Sequence, residues 1–325
     1  MDTDTWTPPI ADFCDWPICI HLTEGFQMGK ETKVALVGLD TSHTVEFVKR
    51  MQAPDCPPDQ KVEGLRAASC LRFPSPFQSE EGQDARQKQL EGWGVKVMRN
   101  FDEAVSGCDA IMIEINDPSF HLEYFKKCAN LKKPIFLDKP LADKIGSGAE
   151  IARIAKEKAL RFFSSSSLRF VPELLGACAE MPASPYATVY GPLGEAPAGS
   201  SVVWYGVHAF EMLERAMGIG ASCVTSLAAG SGVVAVIDYP DRRRGIVELT
   251  IGAWQYGGCL RNGSRAVAFS VDMSRAYKLE LDEVAKFFGG GEPPVAMEDT
   301  VEVMALLDAA DRSAKSGRTE AVYRK

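Results

Sequence analysis

The segment Lys33-Val34-Ala35-Leu36-Val37-Gly38-Leu39-Asp40-Thr41-Ser42-His43 sets a short apolar run against a glycine and three helix-capping residues. An apolar run of this length ending in Gly reads as a strand buried on both faces. Asp40, Thr41 and Ser42 are N-cap residues, and Val45, Phe47 and Val48 behind them form an apolar helix stripe. The unit is strand, tight turn, helix. The same alternation runs on downstream. Strands are expected at Leu65 to Leu71, Val95 to Met98, Ala110 to Ile115, Pro134 to Leu137 and Arg161 to Ser164. Between them lie helical stretches at 80–91, near Asp102, at His121 to Asn130 and at Gly148 to Ala159. Near-continuous apolar strands alternating with helices predict a doubly wound parallel sheet of the Rossmann type.

Beyond about residue 170 strands follow one another without helices between them: Ala187 to Tyr190, Val233 to Tyr239, Gly245 to Ala253 and Ala266 to Val271. Pro240-Asp241 between two of them is a turn signal. An antiparallel sheet is expected here, with helices at 208–217 and 299–315. The chain of 325 residues therefore divides as α/β: an arm at 1–30, a nucleotide-binding domain at 31–168, and an α+β domain with an open-faced antiparallel sheet at 169–325. Residues 1–30 show neither helical nor strand periodicity. They read either as an arm that packs on the protein or a partner subunit, or as residues ahead of a start at Met28.

Composition narrows the function. The formal net charge of −8 argues against nucleic acid, whose phosphates demand clustered Lys and Arg. Nine Cys are scattered without a CxxC pair, which fits free thiols in a reducing compartment and predicts a cytoplasmic protein. With only four His and no grouped Cys, no metal site is expected. No apolar run reaches the roughly 18 residues of a membrane span.

Four segments carry candidate chemistry. The turn Gly38-Leu39-Asp40-Thr41-Ser42-His43 stands where a dinucleotide pyrophosphate meets a helix N-terminus, although only the first Gly of G-x-G-x-x-G is present. After the second strand stands Arg72 rather than an acid. It reads either as a partner for a 2′-phosphate, favouring NADP, or as a solvated surface residue. Asn116-Asp117-Pro118-Ser119-Phe120-His121 follows the fourth strand, and Asp138-Lys139-Pro140 follows the fifth. Both lie at the carboxyl edge, where such sheets bind ligands. Finally, Trp204-Tyr205-Gly206-Val207-His208 opens a helix on a residue suited to proton transfer.

Taken in order, Lys33 to Gly38, Asp117-Pro118-x-x-His121, Asp138-Lys139-Pro140 and Gly206-x-His208-x-x-Glu211 resemble the Gfo/Idh/MocA oxidoreductases, the glucose–fructose oxidoreductase and inositol dehydrogenase type. The resemblance covers roughly residues 31–325. It implies NAD or NADP as cofactor and oxidation of a secondary hydroxyl on a sugar, cyclitol or related polyol. It implies Lys139 beside the reacting hydroxyl and His208 as general acid/base. The cofactor would contact Gly38, Asp40, Thr41, Ser42, His43, Arg72, Asn116, Pro118, His121, Asp138, Lys139 and Pro140. A homo-oligomer, dimer or tetramer, through the open sheet face is also implied. The chain departs from the family pattern at the glycines, at Asp117 for Thr, at Asp138 for Glu, and at Trp204, where the family has an Asp. Two other functions fit the residues: a non-catalytic nucleotide- or sugar-binding relative, and an enzyme that uses NAD to cleave glycosides.

Overall fold

The computed structural model describes residues 31–323. The expected arm at 1–30 and the question of Met28 lie outside the described residues. The first half of the chain alternates as the apolar runs require: β1 (Thr32–Val37), α1 (Ser42–Gln52), β2 (Leu65–Leu71), α2 (Glu80–Gly92), β3 (Lys96–Met98), α3 (Phe101–Ala104), β4 (Ala110–Ile113), α4 (His121–Ala129), β5 (Ile135–Asp138), α5 (Ile145–Glu157) and β6 (Phe162–Ser165). All pairings are parallel, in the order β3-β2-β1-β4-β5-β6. Val34 to Val37, Ile111 to Ile113 and Ile135 to Leu137 have no exposed surface, as strands covered on both faces must. The strand order reverses between β1 and β4, which opens a crevice at their carboxyl ends.

The second half contains α6 (Pro172–Glu180), β7 (Tyr186–Pro192), α7 (Ser201–Trp204), α8 (Val207–Met217), β8 (Cys223–Ala229), β9 (Gly232–Asp238), β10 (Arg244–Thr250), β11 (Gly257–Asn262), β12 (Arg265–Ser270), α9 (Ala276–Phe288), α10 (Met297–Ser316) and β13 (Glu320–Ala321). Its sheet runs β12-β11-β7-β10-β9-β8-β13. The sequence predicts an antiparallel sheet, but this one is mixed. β7 and β10 pair in parallel, while every other pairing is antiparallel. The cause lies in the connection after β7, where α7 and α8 intervene and the chain returns as a crossover rather than a hairpin. Helix α8 packs on β7 and β10, and α10 packs on β8. The other face carries Tyr186, Tyr190, Leu227 and Val234, all exposed.

Helix α9 has no counterpart in the sequence reading. Its Leu281, Val284 and Phe287 belong to one buried cluster with Leu36, Phe47, Phe136 and Phe163, so the helix covers the first sheet. The Phe163 and Phe287 rings meet edge-on at 5.0 Å. A further tie forms behind β6. Arg169, 5% exposed, lies 3.0 Å from Glu211 and 2.5 Å from Glu214 on α8, and 3.4 Å from Asp299 on α10. Three acids share one guanidinium, and two of them are buried. Burial pushes the Glu211 carboxyl up to about 7; Arg169 opposes that rise and the neighbouring Glu214 adds to it.

Two expectations follow. Gly38 has φ +119°, and a Cβ there would stand 2.2 Å from the Glu114 carbonyl oxygen. Gly38→Ala should therefore lower stability by about 2–3 kcal/mol in urea denaturation, and an unchanged midpoint would contradict this reading of the turn. Glu211 ordinarily titrates near 4.5 and in the fold near 7, so the folded chain binds its proton more tightly than the unfolded one. Its contribution to stability is complete below pH 4.5 and declines as pH rises to about 7. Glu211→Gln should remove that decline, making the variant about 1–3 kcal/mol less pH-sensitive across this window. Identical pH slopes for the two proteins would refute the assignment.

Candidate active site

The site forms where the carboxyl ends of β1, β4, β5 and β6 meet the start of α8. The β1–α1 turn begins with Gly38, whose positive φ brings the backbone against β4. Thr41 caps α1, its hydroxyl accepting the His43 amide hydrogen at 3.2 Å, and Ser42 beside it is exposed. Asp40 is 1% exposed. Its carboxylate accepts from the Ser75 hydroxyl at 2.6 Å and from the Asn116 amide at 2.9 Å, which ties the turns after β1, β2 and β4 together. Burial raises its carboxyl above the usual range, against the pull of those hydrogen bonds. Arg86, from the inner face of α2, donates to the Leu39 carbonyl at 3.1 Å and places a cation beside Asp40.

His43 turns inward, away from the mouth of the turn. Its Nδ1 lies 2.8 Å from Asp138 Oδ2, and its ring meets Tyr277 of α9 edge-on at 5.0 Å. The same Asp138 oxygen is 3.7 Å from Lys139 Nζ, and the other accepts the Lys139 amide hydrogen at 2.9 Å. Burial works to raise Asp138, but His43 and Lys139 outweigh it and hold the carboxyl well below its usual range. Burial conversely lowers His43, with Asp138 opposing. Two more carboxylates surround this pair, Glu114 after β4 and Glu280 on α9, both fully buried. Burial and the charge of Asp138 push both well above the ordinary value.

His208 enters from the other half of the chain. Gly206 allows the sharp step from α7 into α8, since a Cβ there would meet the Val202 carbonyl oxygen at 2.5 Å. His208 Nδ1 lies 2.7 Å from the Ser166 hydroxyl at the end of β6. Tyr205 and Tyr256 flank its ring edge-on, each at 5.8 Å. Desolvation first, then Lys139 and His43, push the imidazole well below its ordinary value. Lys139 is thus near enough to His208 to act on it electrostatically.

The remaining candidates divide. His121 is fully buried, and its two ring nitrogens lie 2.8 Å from the carbonyl oxygens of Pro140 and Ile115, locking the loop after β4 to the loop after β5. Pro118, itself buried, opens a 3-10 turn behind Asn116. Arg72 is neither solvated nor facing the crevice. Its terminal nitrogens donate to Asp84, Gln87 and Glu80 of α2, which spends there the charge offered to a 2′-phosphate. Trp204, standing where an acid is expected, donates from Nε1 to Asn116 Oδ1 at 3.0 Å and packs on Phe77, bridging the two halves. Four residues escaped the sequence reading. Glu114 was absorbed into an apolar run, Ser166 into a short serine run, Glu280 into an unpredicted helix, and Arg86 into a polar helix face. Only Arg86 carried a usable signal, from the i, i+3, i+7 spacing of Gln83, Arg86 and Leu90.

For a dinucleotide, the cradle fits in modified form. Gly38 supplies the tight turn, Thr41 and Ser42 open an 11-residue helix, and Arg86 adds the positive charge that offsets Asp40 at the second glycine position. A cavity of about 920 Å³, between α5 and residues 292–302, contains none of these residues.

Comparison with known proteins agrees with this geometry. The family described as "Oxidoreductase family, NAD-binding Rossmann fold" (GFO_IDH_MocA) matches residues 79–166. No curated protein sequence matches the chain. Among solved structures, GenD2 from gentamicin A biosynthesis, in complex with NAD, is 15% identical with a TM-score of 0.74, covering 93% of this chain and 99% of that one. The myo-inositol 2-dehydrogenase of Lactobacillus plantarum is 16% identical with a TM-score of 0.72, covering 90% and 100%. The scyllo-inositol dehydrogenase of Lactobacillus casei, with bound NAD(H) and scyllo-inositol, is 14% identical with a TM-score of 0.70, covering 90% and 99%. At such identities the likeness is one of fold. The matched residues 79–166 carry Asp117 to His121 and Asp138-Lys139-Pro140, so this segment is similar to the Gfo/Idh/MocA oxidoreductases, whose model is that of an NAD-binding Rossmann fold.

Proposed function

We propose that this protein is an NAD(P)-dependent oxidoreductase that acts on a secondary hydroxyl of a sugar, cyclitol or related polyol. The observation that supports the reading is the convergence of two segments: His208 meets Ser166 just after β6, and Lys139 just after β5 lies within electrostatic reach of the imidazole and helps to lower it. Gly38, Thr41, Ser42, Arg86 and Asn116 would hold the dinucleotide, which when bound supplies the hydride acceptor.

The protein's own work is then to orient an alcohol and take its proton. An imidazole held well below its usual value is neutral at neutral pH, the form a base requires. With hydrogen on Nδ1, His208 donates to Ser166 Oγ and presents Nε2 to the hydroxyl. That serine oxygen also accepts the Leu168 amide hydrogen at 3.2 Å, which fixes its own direction. Ser166 thereby serves His208 as the orienting group that Trp204 cannot be. Lys139, 8% exposed and paired with Asp138, donates to the alcohol oxygen and stabilises the negative charge that grows as the proton leaves. Two cis-diol-like oxygens on a ring would suit a lysine and a histidine side by side, which favours polyols over simple alcohols.

The setting is proposed with the chemistry. Seven free thiols among the described residues support a reducing compartment such as the cytoplasm. No helix of the described residues is long and apolar enough to cross a membrane. The exposed face bearing Tyr186, Tyr190 and Leu227, the last 71% exposed, supports association of copies through that sheet. Leu227→Arg should then shift sedimentation toward monomer; an unchanged distribution would exclude this face.

The function is tested by titrating NADH and NADPH fluorescence, followed by a polyol screen with the tighter cofactor. Saturable binding at micromolar concentration is expected. Absence of binding by both would leave neither oxidoreductase nor glycoside cleavage standing. Lys139→Ala should abolish turnover with an unchanged circular dichroism spectrum. His208→Asn should cost roughly 10²–10⁴-fold in kcat. Oxidation by the unaltered enzyme should rise with pH to a plateau whose midpoint lies below 6.5. A midpoint above that value would remove His208 as the base.

A further inference from the structure

His43 on α1, Glu114 after β4 and Asp138 at the end of β5 each offer one ligand atom, and these atoms lie within 4.8 Å of one another. The sequence reading expected no metal site, because it sought grouped Cys and His. Here the donors come from three separate β–α turns.

An acidic cluster alone would say little, but Glu114 adds an independent observation. It has no exposed surface, and neither of its carboxylate oxygens has a hydrogen-bond partner among the described residues. Glu280 beside it accepts from Ser165 at 3.3 Å and leaves its second oxygen buried without a partner. Buried carboxylates are normally hydrogen-bonded, paired or metal-bound. Among the described residues, His43 and Lys139 are the basic groups at ion-pair distance from Asp138. Beside them the two buried oxygens of Glu114 stand idle.

We propose that His43, Glu114 and Asp138 form a binding site for a divalent transition cation, Zn²⁺ foremost. One neutral imidazole and two carboxylates carry a ligand charge of −2, which a divalent ion neutralises. Such an ion takes N and O donors at about 2.0–2.2 Å, which places tetrahedral ligands roughly 3.3–3.6 Å apart, so a pair at the 4.8 Å limit closes by about 1.3 Å while His43 and Asp138 move apart. The bond between His43 and Asp138 is replaced as both atoms turn to the ion. Glu280 supplies a fourth donor or holds a bound water. His43 and Lys139, 7% and 8% exposed, mark the side from which the ion enters.

The test needs no turnover and is independent of the proposed redox role. Chelator-stripped full-length protein is titrated with Co²⁺ and Zn²⁺ by calorimetry and visible absorption. One ion per chain is expected, with Co²⁺ d–d bands and no thiolate charge-transfer band. Glu114→Gln should weaken binding by about 100-fold or more while the far-ultraviolet spectrum is retained. Should that variant fail to fold, His43→Asn provides the same readout. Lack of stoichiometric binding, thiolate bands that assign the ion to cysteines, or affinity undiminished in the folded variants would each overturn the proposal.

Discussion

The carboxylate of Asp138, buried at the end of β5 with His43 on one side and Lys139 on the other, is the interaction on which the site depends. Charges buried at this depth persist only when they neutralise one another. His43 comes from the first turn, Lys139 from the fifth strand, and Glu114 and Glu280 press in from β4 and α9. Removing Lys139 leaves the buried Asp138 carboxylate without its cation, at a cost of about 3–5 kcal/mol for a buried pair. The cluster therefore fixes where the turns after β1, β4 and β5 sit, and with them the position of Lys139.

The departures of this chain from the Gfo/Idh/MocA pattern it resembles make sense as linked changes. An imidazole at the third glycine position needs room and a partner, and the shortened acid Asp138 gives both. Trp204 stands where that pattern has an acid, and His208 meets Ser166 just after β6 instead. In exchange, Trp204 reaches across to Asn116 and Phe77 and joins the second half of the chain to the turn after β4. Asp40, charged where a glycine would let phosphate approach, is drawn aside by Ser75 and Asn116 and countered by Arg86.

The parallel sheet was legible because strands buried on both faces leave continuous apolar runs, as in Val34 to Val37. The turns that follow were legible because caps and Gly punctuate them. Direction was not. Residue type places Arg72 at the crevice, yet the acids at the start of α2 draw its guanidinium away. Helix α9 was missed because its buried stripe includes Glu280, a residue that reads as solvated until its neighbours are known. Glu114 hid inside an apolar run for the same reason. The parallel pairing of β7 with β10 depends on where a crossover packs, which no local pattern records.

The proposed chemistry needs Lys139 within electrostatic reach of His208, and histidine NMR titration reads that directly. In the unaltered protein the His208 imidazole should titrate well below 6.5. In Lys139→Met, where the stem remains and the charge is gone, its midpoint should move up. A His208 midpoint that ignores the loss of Lys139 would show the two side chains to be uncoupled, and the proposed chemistry would fall with it.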